Sequence, residues 1–317
     1  QAGVRGVLAQ GSRARCASSE AVSVMDELKS QSSDDAVGAH AWVVARKTHK
    51  DRLYALIDRS APGPDLARLR ESDRCVTNLF SRLRLQPQAW PTSPVLVAMD
   101  QGFVEAQMMN AYASQSAESC TVSLIASPLD AGGVAQRLVR RLELESEGTA
   151  YLLRWWDPRV MLALSEAWSG DLRHDVLAFG TQMLLPNRRG GHLALALHCP
   201  EDDPLAERPL VCTGEQLDAL VETTAPDAVL GLLREQDAAL LDSLPDAQRH
   251  AWACAQIKGC CERGLFAARD HALALALAIQ HGADWWGAPA WRPCVAKAED
   301  KHSLVEAYLA MTHEESA

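Results

Sequence analysis

Residues 151–160 read Tyr151-Leu152-Leu153-Arg154-Trp155-Trp156-Asp157-Pro158-Arg159-Val160. An apolar, aromatic run stops at Asp-Pro, and an amphipathic run from Val160 to Trp168 follows. The pattern predicts a buried strand turning directly into a helix. Asp157 is placed to cap that helix, its carboxylate accepting from the free N–H groups of the first turn. Pro158 falls at the first helical position, where a missing N–H costs nothing. On a strand, neighbouring side chains face opposite ways, so Trp155 and Trp156 are expected to fill two different cores.

Three further short apolar runs precede this one: Leu53–Asp58, Pro94–Asp100 and Thr121–Ser127. They lack clean alternation and carry β-branched or aromatic residues, which suits strands buried on both faces. Helical spacing lies between them, marked by Leu66, Leu69, Val76, Leu79, Phe80 and Leu83, then by Phe103–Tyr112, then by Val134, Leu138, Val139 and Leu142. Alternation of this kind predicts an α/β fold with a mainly parallel sheet flanked by helices. A separate strand pair, Gln182–Leu185 with His192–His198, is expected around the turn at Gly190-Gly191. Glu201–Pro209 reads as an acidic linker. From Thr213 onward the pattern is helical, with Thr213 capping Gly214–Glu222, a second helix over Pro226–Leu244, and Gly282 stopping the helix that ends at His281. The last helix is expected over His302–Met311. The predicted organisation is a loose extension over 1–38, containing a short helix near 21–29, an α/β lobe over 39–200 and a helical C-terminal lobe over 201–317.

Composition narrows the function classes. The chain has 317 residues, 48% hydrophobic and 23% charged, and a net charge of −10. Residues 1–198 hold 22 Lys and Arg against 21 Asp and Glu, whereas residues 199–317 hold 9 against 20. An acidic C-terminal half argues against a nucleic-acid-binding role and can steer a basic protein partner. No apolar run reaches the roughly 18–20 residues that span a bilayer. Nine scattered cysteines form no framework and point to a reducing compartment rather than a disulfide scaffold. Residues 1–15 lack the continuous apolar core of a secretory signal.

The candidate chemistry is sparse. Asp58, Asp100 and Asp157 close three of the predicted strands, and at one edge of a parallel sheet three carboxylates can hold a magnesium ion for phosphoryl transfer or hydrolysis. Aspartate at a strand-to-helix junction is also the preferred cap, and that structural role is the expectation for Asp100 and Asp157. No glycine-rich phosphate loop is present, and Gly132-Gly133 alone is a weak anion site. Cys254, Cys260 and Cys261 with His250 and His271 lack metal-ligand spacing and read as free buried thiols. Ser123, Ser127 and Ser165 sit in no nucleophile motif. Neither a metal nor another cofactor is expected. Trp285 and Trp286, with Trp291 close by, lie in a Gly/Pro loop and are candidate partner contacts, because tryptophan anchors are enriched in interfaces.

The Leu153-Arg154-Trp155-Trp156-Asp157-Pro158-Arg159-Val160 segment resembles the hallmark of the type VI secretion effector chaperones, long described only as a domain of unknown function. Leu53–Asp58 and Pro94–Val97 are similar to that family's first strands, and Ile279-Gln280-His281-Gly282 is similar to a late turn. The resemblance implies a non-enzymatic cytoplasmic adaptor of a Gram-negative bacterium. Its partners would be a cognate toxic effector and the VgrG spike protein onto which the effector is loaded, with no nucleic acid, membrane or small-molecule substrate. Arg154, Trp155, Trp156, Asp157, Pro158 and Arg159 are then the motif residues. Their expected role is architectural, with Arg154 reaching a carboxylate between lobes, and partner binding is the alternative role.

Overall fold

The computed structural model describes residues 38–60, 76–82, 91–115, 120–188 and 191–315. The extension over 1–37, the helix expected near 21–29 and the helical stretch marked by Leu66, Leu69 and Leu83 lie outside them. The described residues fall in two compact units that divide between Leu220 and Val221.

The first unit is built on a six-stranded sheet. Its strands are β1 (Arg52–Ile57), β2 (Val76–Asn78), β3 (Val95–Ala98), β4 (Val122–Ser127), β7 (Gln182–Pro186) and β8 (His192–Ala196). They lie in the order β2-β3-β1-β4-β7-β8, and the neighbouring strands β1–β3, β1–β4, β2–β3, β4–β7 and β7–β8 all pair antiparallel. The mainly parallel sheet expected from sequence is therefore corrected. The reason lies in β1. It pairs with β3 on one side (Tyr54 opposite Ala98) and β4 on the other (Tyr54 opposite Ile125). Both neighbours run against it, so β3 and β4 are parallel to one another, as a strand–helix–strand crossover requires. They do not touch, because β1 lies between them. The alternation of elements sets relative direction but leaves adjacency open.

Both faces of this sheet are buried, and period-two alternation sorts the side chains. Tyr54, Leu56, Leu96, Ile125, Met183 and Leu185 face one core, whereas Leu53, Ala55, Ile57, Val97, Leu124 and Leu184 face the other. Helices α1 (Ala39–Thr48) and α2 (Gly102–Ser114) cover the second face through Trp42, Val43, Val104, Met108 and Tyr112. Helices α3 (Ala131–Arg140), α4 (Pro158–Ala167) and α5 (Gly170–Val176) serve the first. Double coverage produced the unbroken apolar runs in the sequence; it is a property of burial, not of strand direction. The expected strand pair is real, but it forms the edge of this sheet. Val76–Asn78, read as helical, are a strand, and Phe80–Arg82 form a 3₁₀ turn.

A second, three-stranded sheet has the order β6-β5-β9, from β5 (Glu143–Ser146), β6 (Thr149–Leu152) and β9 (Leu210–Cys212). The buried strand expected at the start of the 151–160 segment is corrected: β6 ends at Leu152 and is largely exposed, and the apolar residues that follow it reach the core from a turn. Glu201–Pro209, expected as a linker, belongs to the first unit. Arg137 donates to the Pro200 and Glu201 carbonyls at 2.7 and 2.9 Å, and Arg140 and Arg141 both bond Asp203.

Helix α6 (Gly214–Asp242) starts in the first unit and continues into the second. Thr213 opens it as expected, in a reciprocal capping box. Its hydroxyl accepts from Gln216 N–H, and the Gln216 amide oxygen accepts from Thr213 N–H. Pro226 does not divide this helix; the non-helical residue is Asp237 (φ −153°, ψ 82°). There the Asp237 carboxylate caps the last turns by accepting from Leu240 N–H at 3.0 Å. The helical reading of the C-terminal region holds. Helices α7 (Asp246–Glu262), α8 (Ala268–His281), α9 (Arg292–Lys301) and α10 (Leu304–Glu315) pack through Leu275, Leu277, Trp285 and Leu304 among others. Gly282, at φ 96°, ends α8 in the conformation that only glycine adopts without strain. Among the described residues no helix is long and apolar enough to cross a membrane.

Candidate functional site

The site grows from the end of β1 and the head of α4. At the end of β1, Asp58 is buried at 2% exposure. Its Oδ1 accepts from the Ser60 N–H at 2.8 Å and the Ser60 hydroxyl at 2.6 Å, a local Asx-type turn at the strand's end. Its Oδ2 accepts from Arg154 Nη2 at 3.2 Å. At the head of α4, Asp157 is buried at 4%. It accepts from the Arg159 N–H at 3.0 Å, which confirms the cap, and Pro158 holds the first helical position. The Arg159 guanidinium closes on the same carboxylate through Nε at 3.0 Å and Nη2 at 2.8 Å. Arg154 Nη2 lies 3.7 Å from Asp157 Oδ2. Charges therefore alternate in a row: Arg159, Asp157, Arg154, Asp58. Arg188 adds a bond from its Nη2 to the Arg159 carbonyl at 3.1 Å.

The two tryptophans do not lie on a strand and do not divide between two cores, which corrects the sequence reading. Residues 155–156 form a turn, and both rings enter the same core at 6.0 Å, edge to face. Trp156 meets Phe80 edge-on at 5.6 Å, and Trp155 meets Phe179 at 6.1 Å. The paired rings anchor the segment in the core, and Arg154 and Arg159 bond the carboxylates of Asp58 and Asp157. Arg154 remains 47% exposed. Its carboxylates lie within one unit, so it makes no bridge between lobes.

The three aspartates do not converge. β1 and β3 are antiparallel, with Ile57 opposite Val95. Asp58 and Asp100 consequently stand at opposite ends of the sheet, about 20 Å apart at ~3.3 Å per residue. Asp100 is exposed, and it is Gln101, not Asp100, that precedes α2, with no side-chain cap. Asp58 and Asp157 do come together, but their oxygens are occupied by arginine and serine donors. Among the described residues no group of three His, Cys, Asp or Glu side chains is arranged to hold a metal.

The other sequence candidates resolve into structural roles. The helix start at Gly132-Gly133 is capped by the chain's own Asp130, which accepts from Gly133 N–H at 2.7 Å. Trp285 is 1% exposed and stacks on Trp286 at 4.1 Å, so it is core rather than a free anchor. Gln256 Oε1 accepts from both indoles, at 3.2 and 2.9 Å, and Arg263 lies over the Trp286 ring at 4.6 Å. Trp286 and Trp291 are half-buried. Cys260 is fully buried, and burial pushes its thiol up, whereas Cys254 is exposed beside His250. His271 bonds the Leu265 carbonyl at 2.9 Å.

Sequence reasoning missed a second polar centre. Arg141 has no exposed surface, yet all its nitrogens are bonded. Nε donates to the Asp175 and Val176 carbonyls, Nη1 to the Arg137 carbonyl, and Nη2 to Asp203 Oδ1 at 2.9 Å. Arg137, one turn earlier on α3, bonds the Ala178 carbonyl. Together they bond the Asp175 and Val176 carbonyls in the last turn of α5 and the Ala178 carbonyl just after it. Burial alone would raise the Asp203 carboxyl, but the bonds and charge of Arg141, helped by Arg140, hold it below the usual carboxylate range. The available signal was Arg137 and Arg141 at i and i+4, the first on the helix that carries Val134 and Leu138 and the second at its C-cap.

The sequence model of the family described as "Domain of unknown function (DUF4123)" matches residues 53–175. That span runs from the start of β1 to Asp175 in α5, and it contains Asp58 and the whole Arg154–Arg159 segment. No curated protein and no solved structure matches the chain.

Proposed function

We propose that this chain is a cytoplasmic adaptor of a type VI secretion system, which binds a cognate toxic effector and loads it onto the VgrG spike protein without catalysis. The observation that carries the reading is the Arg154–Asp157–Arg159 segment. It resembles that chaperone family's hallmark, lies inside the matched span and is built as a structural lock. Its carboxylates are held by guanidinium groups, and its tryptophans are core.

The magnesium-enzyme alternative required Asp58, Asp100 and Asp157 at one sheet edge. The antiparallel pairing of β1 with β3 separates Asp58 from Asp100, and this favours the adaptor. Co-expression of the full chain with the products of neighbouring genes tests the proposal. The expected result is a stable complex with one effector and with the spike. Saturable magnesium–nucleotide binding that disappears in Asp58→Asn, with no such complex, would overturn it.

A further inference from the structure

Among the described residues, β6 pairs with β5 alone and forms an edge of the small sheet. The antiparallel ladder fixes which of its backbone groups face outward. The Leu153 N–H donates to the Leu142 carbonyl at 2.8 Å. Bonded pairs alternate with unbonded ones, so Leu144–Tyr151 and Ser146–Thr149 are the bonded pairs. Ala150 and Leu152 between them turn N–H and C=O away from β5. Both residues are exposed, Leu152 at 40%.

Their side chains share the solvent face of the sheet with Glu143, Glu145 and Val211. Leu152 lies opposite Glu143, Ala150 opposite Glu145, and Val211 beside Glu145 on the other side. Glu143 and Glu145 are exposed, and Val211 is 53% exposed. Proteins commonly block such edges with lysine, proline or a bulge. β6 reads Thr149-Ala150-Tyr151-Leu152, with no charge and no proline.

We propose that β6 is a docking edge for an extended, lysine- or arginine-bearing segment of a protein partner, which adds as a fourth strand. The new strand pairs with the outward groups of Ala150 and Leu152, the mode known as β-augmentation. It lies about 10 Å from β5, two strand spacings away. A basic side chain leaning across the small Ala150 methyl meets Glu145 from there, and an apolar neighbour packs on Leu152. The exposed acidic pair Glu143 and Glu145 selects a basic segment over an acidic one. The inference takes from the adaptor reading only that the partner is a protein.

The test uses the full chain and three fluorescein-labelled octapeptides: alternating Lys and Val, alternating Glu and Val, and a block peptide with the Lys/Val composition. Saturable binding of the alternating Lys peptide alone is expected. Ala150→Pro removes an N–H that the β5 ladder does not use, so the fold tolerates it. It is expected to weaken peptide binding by at least about tenfold, which is ~1.4 kcal/mol of lost strand pairing. The double variant Glu143→Lys/Glu145→Lys is expected to prefer the Glu peptide. Hydrogen exchange on the unaltered chain provides a check that no folding defect can confound, with slowed Ala150 and Leu152 amides in the Lys peptide. Equal binding of the block peptide, or unchanged exchange at Ala150 and Leu152, overturns the proposal. If the peptides fail while an effector co-purifies, the docking edge is wrong and the adaptor reading stands. Edge binding without any effector complex supports the docking edge and overturns the adaptor reading.

Discussion

Replacing Asp157 by alanine removes two things that can be weighed separately. The first is the helix cap on the Arg159 N–H, about 0.5–2 kcal/mol and typically ~1. The second is the two-pronged contact with the Arg159 guanidinium, a charge-assisted pair worth about 1.5–3 kcal/mol when shielded. Arg159 is 31% exposed and can turn to water, so the lower part of that range applies. The sum for Asp157→Ala is about 2–3 kcal/mol. Asp157→Asn keeps an equally good cap and loses only the charge, so about 1–2 kcal/mol is expected. With a urea m-value of about 2–3 kcal/mol/M, the alanine variant shifts the unfolding midpoint by ~1 M and the asparagine variant by about half of that. Urea titration with hydrogen exchange across 153–168 reads both quantities. If Asp157→Ala leaves the midpoint unchanged while effector binding disappears, the segment is a contact surface and the structural account of it is wrong.

Other expectations follow from the same physics. Arg141→Met leaves Asp203 buried beside the lost cation and should cost about 3–5 kcal/mol, whereas Arg140→Ala at the same carboxylate should cost under about 1 kcal/mol; thermal melts distinguish the two. Trp285→Ala should destabilise the helical unit by about 3–5 kcal/mol in denaturant, with partner binding by the folded fraction retained, because its ring is core. Burial holds the His271 imidazole below its ordinary pKa. The unfolded chain therefore binds its proton first, and stability is complete above about pH 6.5 and falls as pH drops from there. Asp203 works at lower pH, its contribution lost as pH falls from about 3.9 toward its depressed folded value, so acid titration of His271→Gln and Arg141→Met should flatten different parts of the stability profile.

What the sequence disclosed was local. Strand positions β1, β3 and β4, the Asp157 cap, the Thr213 box and the Gly282 stop each depend on a few contiguous residues, and each is where the pattern placed it. Strand direction depends on which segment fills the space between two others. Insertion of β1 between β3 and β4 leaves no mark on hydrophobic periodicity. The same gap explains the candidate site. The row Arg159, Asp157, Arg154, Asp58 joins residues nearly a hundred positions apart, and the sequence supplied its members without the Asp58 contact. Trp285 misled because Gly and Pro flank it; a 3₁₀ turn folds that loop back so that its ring is buried between Trp286 and Trp291. Arg137 and Arg141 were hidden by their charge, since arginine is seldom fully buried unless its donors are matched.

The most direct measurement is native mass spectrometry of purified effector and VgrG spike, mixed with and without this chain. The adaptor account predicts a binary complex of chain with effector, and effector on the spike only when the chain is present. Effector that joins the spike equally well alone, or a chain that binds neither protein, would contradict it.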